Sequence, residues 1–154
     1  MQDYEMMVRE CYSQIIDQYK FLFKKYDKDE FFLIGSGFAL YIFVDRRDRM
    51  SDVWFVSLDK HGAIKTHNLM NVKENRFDDY DSSCYGKPST SDEQVKGYMC
   101  FDASGLIRHC HDILSGDPLW INQIIMKGTF SRHVARYLAP YFQQQGYYVK
   151  PLQE

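Results

Sequence analysis

The chain has 154 residues, of which 45% are hydrophobic and 26% are charged, and its formal net charge is −2. These values are typical of a single folded domain and exclude a chain that is disordered throughout. No run approaches the roughly 18 apolar residues that a membrane-spanning helix needs, and the near-neutral charge argues against a general nucleic-acid-binding protein.

Residues 3–26 have the pattern of one long amphipathic helix. Apolar residues recur there at steps of three and four, which places them on a single helical face. The residues of this predicted apolar stripe are Met7, Cys11, Ile15, Tyr19, Leu22 and Tyr26.

Four strand-like runs follow this helix, and each is rich in aromatic and β-branched residues. The charged residues at 45–52 predict a hairpin loop, and Lys60, His61 and Gly62 predict a tight turn. Such short connections favour an antiparallel meander. The predicted strands are 31–34, 38–44, 53–58 and 63–69.

Residues 71–94 follow neither the helical nor the strand period and contain clusters of Asp, Ser, Gly and Pro. A structureless segment of this length in a small domain is usually functional or disordered. Cap residues and apolar patterning define the elements beyond it. They are a strand at 98–101, a helix at 103–114 capped by Asp102, a strand at 119–126, a helix capped by Ser131 and interrupted by Pro140, and an edge strand at 147–149.

This order of elements predicts an α+β fold with a mainly antiparallel sheet of about five to seven strands. An N-terminal helix, a middle helix and a C-terminal helix pack with the sheet. We therefore predict one domain over residues 1–154, with a loop-rich acidic segment at about 71–94.

The four cysteines, Cys11, Cys84, Cys100 and Cys110, lack the paired spacing of a metal or disulfide motif. Three of them lie in apolar runs, where a free cysteine behaves as a small hydrophobic residue. The acidic N-terminus lacks the basic and apolar regions of a secretory signal. These features predict a cytoplasmic protein with reduced thiols.

Residues 109–112, HCHD, form the densest group of potential metal ligands. Residues two apart on a helix project about 200° from each other, so His109 and His111 cannot bind one metal together. The GSG at 35–37 precedes a strand rather than a helix, which argues against a phosphate-binding loop. We therefore predict structural roles for the residues of both motifs.

No spacing in the chain selects a nucleophile with its base or an acid–base pair. We predict no catalytic residue, no cofactor and no metal. The alternative is a small metal- or ligand-binding enzyme domain that uses Cys84, Cys100, His109 or His111.

Residues 74–93 carry six carboxylates against two cations, a net charge of −4. Carboxylates interleaved with aromatic rings can attract a basic partner and anchor it, although a solvated, mobile loop explains the same composition. The predicted partner-binding residues are Glu74, Phe77, Asp78, Asp79, Tyr80, Asp81 and Tyr85, together with Asp45 and Asp48 from the charged hairpin loop.

In its layout the chain resembles the small immunity proteins of bacterial toxin–immunity systems, including those of contact-dependent growth inhibition. The resemblance rests on an N-terminal amphipathic helix, the strands within FFLIGSGFALYIFVDRRDRMSDVWFVSLD, an acidic middle segment and a closing helix. It implies a non-enzymatic protein that neutralises the C-terminal domain of a cognate toxin, expected to be a basic nuclease, without itself contacting nucleic acid or membrane. An interaction module with a partner other than a toxin is a further alternative.

Overall fold

A computed structural model describes residues 3–123 and 128–152. The strands are β1 (Leu22–Lys25), β2 (Glu30–Ile34), β3 (Phe38–Asp45), β4 (Met50–Leu58) and β5 (Ile64–Asn68). The helices are α1 (Glu5–Cys11), α2 (Ser13–Tyr19), α3 (Met70–Arg76), α4 (Asp79–Ser83), α5 (Ser91–His109), α6 (His111–Leu114) and α7 (Arg132–Gln144), with a 3-10 helix at Pro118–Gln123.

The five strands form one antiparallel sheet in the order β1-β2-β3-β4-β5, which confirms the predicted α+β fold and its meander. Strands β2 to β5 confirm the four predicted strands, with bounds that differ by at most three residues. None of the helices within the described ranges combines the length and the apolar character that crossing a membrane requires.

Alternate residues of the central strands face two different cores, as the period of two in a strand requires. In β3, Leu40 and Ile42 belong to a core shared with α1, α2 and α5, whereas Ala39 and Tyr41 belong to a second core beneath α7. The sheet therefore lies between two helical layers. Helix α5 packs against strand β4.

The prediction of one helix over 3–26 is wrong in its second half. The helix is broken at Tyr12 and ends at Lys20, whose left-handed backbone (φ 60°) cannot continue it. The chain then enters β1 at one edge of the sheet, where Leu22 pairs with Ile34. Leu22 is 47% exposed there rather than part of a buried helical stripe.

Residues 71–94 are not structureless, since they contain most of α3, all of α4 and the start of α5. The predicted strand at 98–101 and the predicted cap at Asp102 are also wrong, because both lie inside the 19-residue helix α5. Its N-cap is Thr90, whose side chain accepts a hydrogen bond from the N–H of Glu93. Asp102 is buried in the middle of that helix.

The C-terminal helix is confirmed as α7, with Val134, Leu138 and Phe142 fully buried. Pro140 lies within it without ending it. The strand predicted at 119–126 is wrong over 119–123, which form the 3-10 helix, and 124–126 lie outside the described residues. Residues 147–149 are irregular rather than an edge strand.

Candidate partner-binding site

Helix α4 lies at the centre of the acidic segment and begins with a reciprocal capping box. The side chain of Asp78 accepts a hydrogen bond from the N–H of Asp81 (3.1 Å), and the side chain of Asp81 accepts one from the N–H of Asp78 (3.0 Å). These bonds satisfy two backbone donors that a helix start leaves without partners. A five-residue helix therefore has a defined first turn in a segment that the sequence assigns to loop.

Arg108 of α5 holds α4 against the rest of the protein. Its Nη1 donates to Oδ1 of Asp78 (2.7 Å) and to Oδ1 of Asp81 (2.8 Å), and the Ser104 hydroxyl donates to the same Asp81 oxygen (2.6 Å). Side-chain exposure is 0% for Asp81, 36% for Arg108 and 43% for Asp78. Asp81 is thus a buried internal anchor, whereas Asp78 remains partly accessible.

The pKa values of the two carboxyl groups follow from these contacts. The hydrogen bond from Arg108 holds the pKa of Asp78 well below its usual range. Burial alone would raise the pKa of Asp81, but hydrogen bonds from Ser104, the Asp78 N–H and Arg108 outweigh burial and lower it. Both carboxylates are ionised near neutral pH, and much of their charge is compensated within the protein.

His109 completes this cluster. Its Nε2 lies 3.1 Å from Oδ2 of Asp81 and 3.2 Å from Oδ2 of Asp78. Across residues 3–123 and 128–152, this is the one group of three potential ligands whose donor atoms lie within 4.8 Å of one another. One nitrogen and two oxygens could hold a divalent cation, but Arg108 already places a positive charge on both carboxylates.

Two of the predicted aromatic anchors pack inward. The ring of Phe77 lies 5.1 Å from that of Phe101 and contacts Gly105, where a Cβ would stand 2.2 Å from Phe77 Cε2. The ring of Tyr85 lies 5.0 Å from that of Tyr98. Both aromatic residues therefore pack against α5 and hold the neighbouring chain close to that helix, rather than projecting into solvent.

Tyr80 is different, because it is 61% exposed on α4. The guanidinium carbon of Arg108 lies 4.5 Å from the centre of its ring, a cation–π contact that restrains the ring without burying it. The residue is therefore both accessible and partly ordered.

A groove of about 620 Å³ runs beside Tyr80. Helices α1 and α2 form one wall, Tyr80 near the start of α4 and Cys84 directly after it form the other, and α5 forms the floor. Its polar lining combines a carboxylate, amides, a hydroxyl and a guanidinium group. These belong to Glu10, Gln14, Gln18, Ser104 and Arg108.

The remaining predicted carboxylates differ in availability. Glu74 and Asp79 are exposed, and neither side chain makes a hydrogen bond or an ion pair within residues 3–123 and 128–152. Asp45 and Asp48 lie at the β3–β4 turn, where the Asp45 side chain accepts a hydrogen bond from the Asp48 N–H. The structure thus places Asp78–Tyr80 at the start of α4, Glu74 on the preceding helix α3, and Asp45 and Asp48 at a separate turn of the sheet.

Comparison of this chain with family models, curated proteins and solved structures finds no match. The assignment of a function therefore rests on the geometry of the chain itself.

The sequence reasoning missed the residues that organise the site. Cys100, Ser104 and Arg108 recur every four residues and so share one face of α5, and Gln14 and Gln18 do the same on α2. This spacing is visible in the sequence, but it has meaning only once 91–109 is recognised as a helix.

A second buried charge cluster lies where α3 and α5 meet β4. Lys73 Nζ lies 2.7 Å from Oδ1 of Asp102 and 2.8 Å from Oδ1 of Asp52. Burial raises the pKa of Asp102 to about 7, although Lys73 opposes the shift. Burial lowers the pKa of Lys73, but the two carboxylates outweigh it and the net shift is upward.

Proposed function

We propose that the protein is an immunity protein that binds a basic toxin domain and neutralises it by covering its active site. The observation that carries this proposal is the rigid presentation of an exposed Tyr80, next to the unpaired carboxylate of Asp79, at the rim of the groove. A tyrosine beside a groove is typical of the residues that dominate binding energy at protein interfaces.

Contacts within the protein hold Tyr80 in place. Asp78 and Asp81 pair with Arg108, while Phe77 and Tyr85 pack on α5, so these residues hold α4 in position. Because the helix is ordered before a partner arrives, less conformational entropy is lost on association. Of the originally predicted residues, this proposal assigns direct partner contact to Tyr80, Asp79 and Glu74.

Electrostatics favours a basic partner. Asp79 and Glu74 are exposed and unpaired within the described part of the chain, so their charge is available to attract cations. A nuclease active site is positive because it binds phosphates, and an acidic surface with an aromatic anchor is complementary to such a cleft. An inhibitor that covers this cleft needs no catalytic activity of its own.

Co-expression with the C-terminal domain of the protein encoded immediately upstream tests the proposal. We expect growth to be protected from that domain and a stable complex to co-purify at equal stoichiometry. Binding without protection would support an interaction module whose partner is not a toxin. If the two proteins do not bind and growth is not protected, this partner is rejected.

The alternative of a metal-binding domain draws on one specific observation, the cluster of Asp78, Asp81 and His109. Metal analysis of the purified protein separates the two functions. Stoichiometric zinc that is lost in His109→Ala would favour the metal-binding domain, and metal-free protein that still protects against the toxin would favour the immunity function.

A further inference from the structure

Three of the four cysteines line the groove beside α4, and two of them touch. Cys11 at the end of α1 and Cys100 in α5 lie 89 positions apart in the chain, yet their Sγ atoms are 3.8 Å apart. Both are half-buried free thiols on the groove wall and floor. Both cysteines therefore border a space that small solutes can enter.

The surroundings of the pair make the two sulfurs unequal. The hydrogen bond between the two sulfurs lowers the pKa of Cys100 to about 6, although burial opposes the shift, and Lys96 lowers it further. The same hydrogen bond and burial raise the pKa of Cys11 well above its ordinary value. These shifts favour the thiolate form at Cys100 and the protonated form at Cys11, which is the arrangement of a reactive and a resolving cysteine.

We propose that Cys11 and Cys100 form a redox-active pair that hydrogen peroxide converts into an intramolecular disulfide. This inference does not depend on the proposed immunity function. It identifies a modification site within the groove, between a thiol of α1 and a thiol of α5.

The reaction proceeds in two displacements. The Cys100 thiolate attacks one oxygen of hydrogen peroxide, an S–O bond forms, the O–O bond breaks and hydroxide leaves. The sulfur of Cys11 then attacks the sulfenic acid on Cys100, an S–S bond forms, the S–O bond breaks, and the Cys11 proton leaves with that hydroxyl group as water. Both sulfurs are oxidised, and the peroxide is reduced to one hydroxide ion and one molecule of water. The hydroxide then takes up from the solvent the proton that Cys100 released when it ionised, which gives a second molecule of water.

The other cysteines provide controls. Cys84 lines the opposite wall of the groove, where its Sγ lies 3.5 Å from the carbonyl oxygen of Tyr80. Cys110 is fully buried in the core, and burial raises the pKa of its thiol to about 11. Neither of these sulfurs contacts another cysteine sulfur within residues 3–123 and 128–152, so neither has a resolving thiol beside it, and both should be oxidised more slowly.

The test is graded oxidation of the native protein by hydrogen peroxide, followed by alkylation, counting of free thiols and peptide mapping. We expect the four free thiols to fall to two and the mapped disulfide to join Cys11 to Cys100. The same result should be obtained with Cys84→Ser. In Cys11→Ser, a sulfenic acid on Cys100 should persist and react with dimedone. The oxidised wild type should also melt about 5–10 °C higher, because the disulfide closes a long loop.

Three results would overturn the proposal. One is that four free thiols survive peroxide treatment that oxidises an unfolded control of the same chain. Another is a mapped disulfide that contains Cys84 or joins two molecules. The third is loss of the reaction in Cys84→Ser. Peptide mapping of the wild type alone decides the matter if Cys11→Ser fails to fold.

Discussion

Replacing Asp81 with alanine is expected to lower the free energy of unfolding by about 3 kcal/mol. Asp81 is fully buried, and its carboxylate accepts hydrogen bonds from Arg108, Ser104 and the backbone N–H of Asp78. Alanine removes all of these acceptors, leaves the Ser104 hydroxyl without its partner, and breaks the capping box of α4. Urea denaturation of the wild type and the variant measures the difference.

Asp79→Ala is the matched control, because Asp79 lies two residues away on the same helix and its carboxylate is exposed and unpaired within residues 3–123 and 128–152. We expect that change to alter stability by no more than about 0.5 kcal/mol. Equal effects from the two substitutions would contradict the description of Asp81 as an internal anchor.

The second large effect concerns pH. Asp102 has a folded-state pKa of about 7, against an ordinary value of 3.8, because it is buried. The folded protein therefore binds this proton more tightly than the unfolded chain does. The resulting stabilisation is fully present below the ordinary pKa and is lost as the pH rises towards 7.

Comparison of the wild type with Asp102→Asn isolates this contribution. The stability of the wild type relative to the variant should fall by about 4 kcal/mol between pH 4 and pH 8, as the shift in pKa requires. Carboxyl groups with depressed pKa values, such as Asp78 and Asp112, are present in both proteins and largely cancel in the difference. Denaturant titrations at several pH values measure it, and a difference that is constant with pH would contradict the assignment.

Strands β2 to β5 could be predicted from the sequence because each has a local strand pattern, whereas β1 was predicted as part of a helix. Aromatic and β-branched residues make up most of β3 and the centre of β4, and Gly62 marks a turn that needs a positive φ of 83°. The turns between these strands are short and charged or contain glycine, and such short connections join antiparallel strands into a meander.

The helix predicted at 103–114 is confirmed by the end of α5 and by α6, with a break at Cys110. The first part of α5 could not be predicted, because residues 91–102 lack a single apolar stripe. Gly97 and Gly105 weaken helical propensity, yet in the structure they allow Tyr85 and Phe77 to pack directly against the helix. Asp102 resembles a cap in sequence, but inside the protein it pairs with Lys73 from the distant helix α3. Such compensation depends on tertiary contacts that local patterns do not contain.

The candidate site was located by its charge, but its organisation was not predicted. The sequence shows that Asp78, Asp79 and Asp81 lie together, and it cannot show that Arg108 neutralises two of them. The partner of Asp81 lies 27 positions further along the chain, and no spacing rule connects them. The structure therefore reassigns the acidic segment from a loop to a braced helix that exposes one tyrosine.

If Tyr80 anchors a basic protein partner, Tyr80→Ala should bind the upstream toxin domain more weakly than the wild type does. Tyr148→Ala is the matched control, since Tyr148 is 68% exposed and Tyr80 is 61% exposed. By calorimetry, we expect Tyr80→Ala to weaken binding by about 30-fold, as for a typical interface anchor, and Tyr148→Ala to leave the affinity unchanged. Wild-type affinity for a correctly folded Tyr80→Ala would contradict the proposed site.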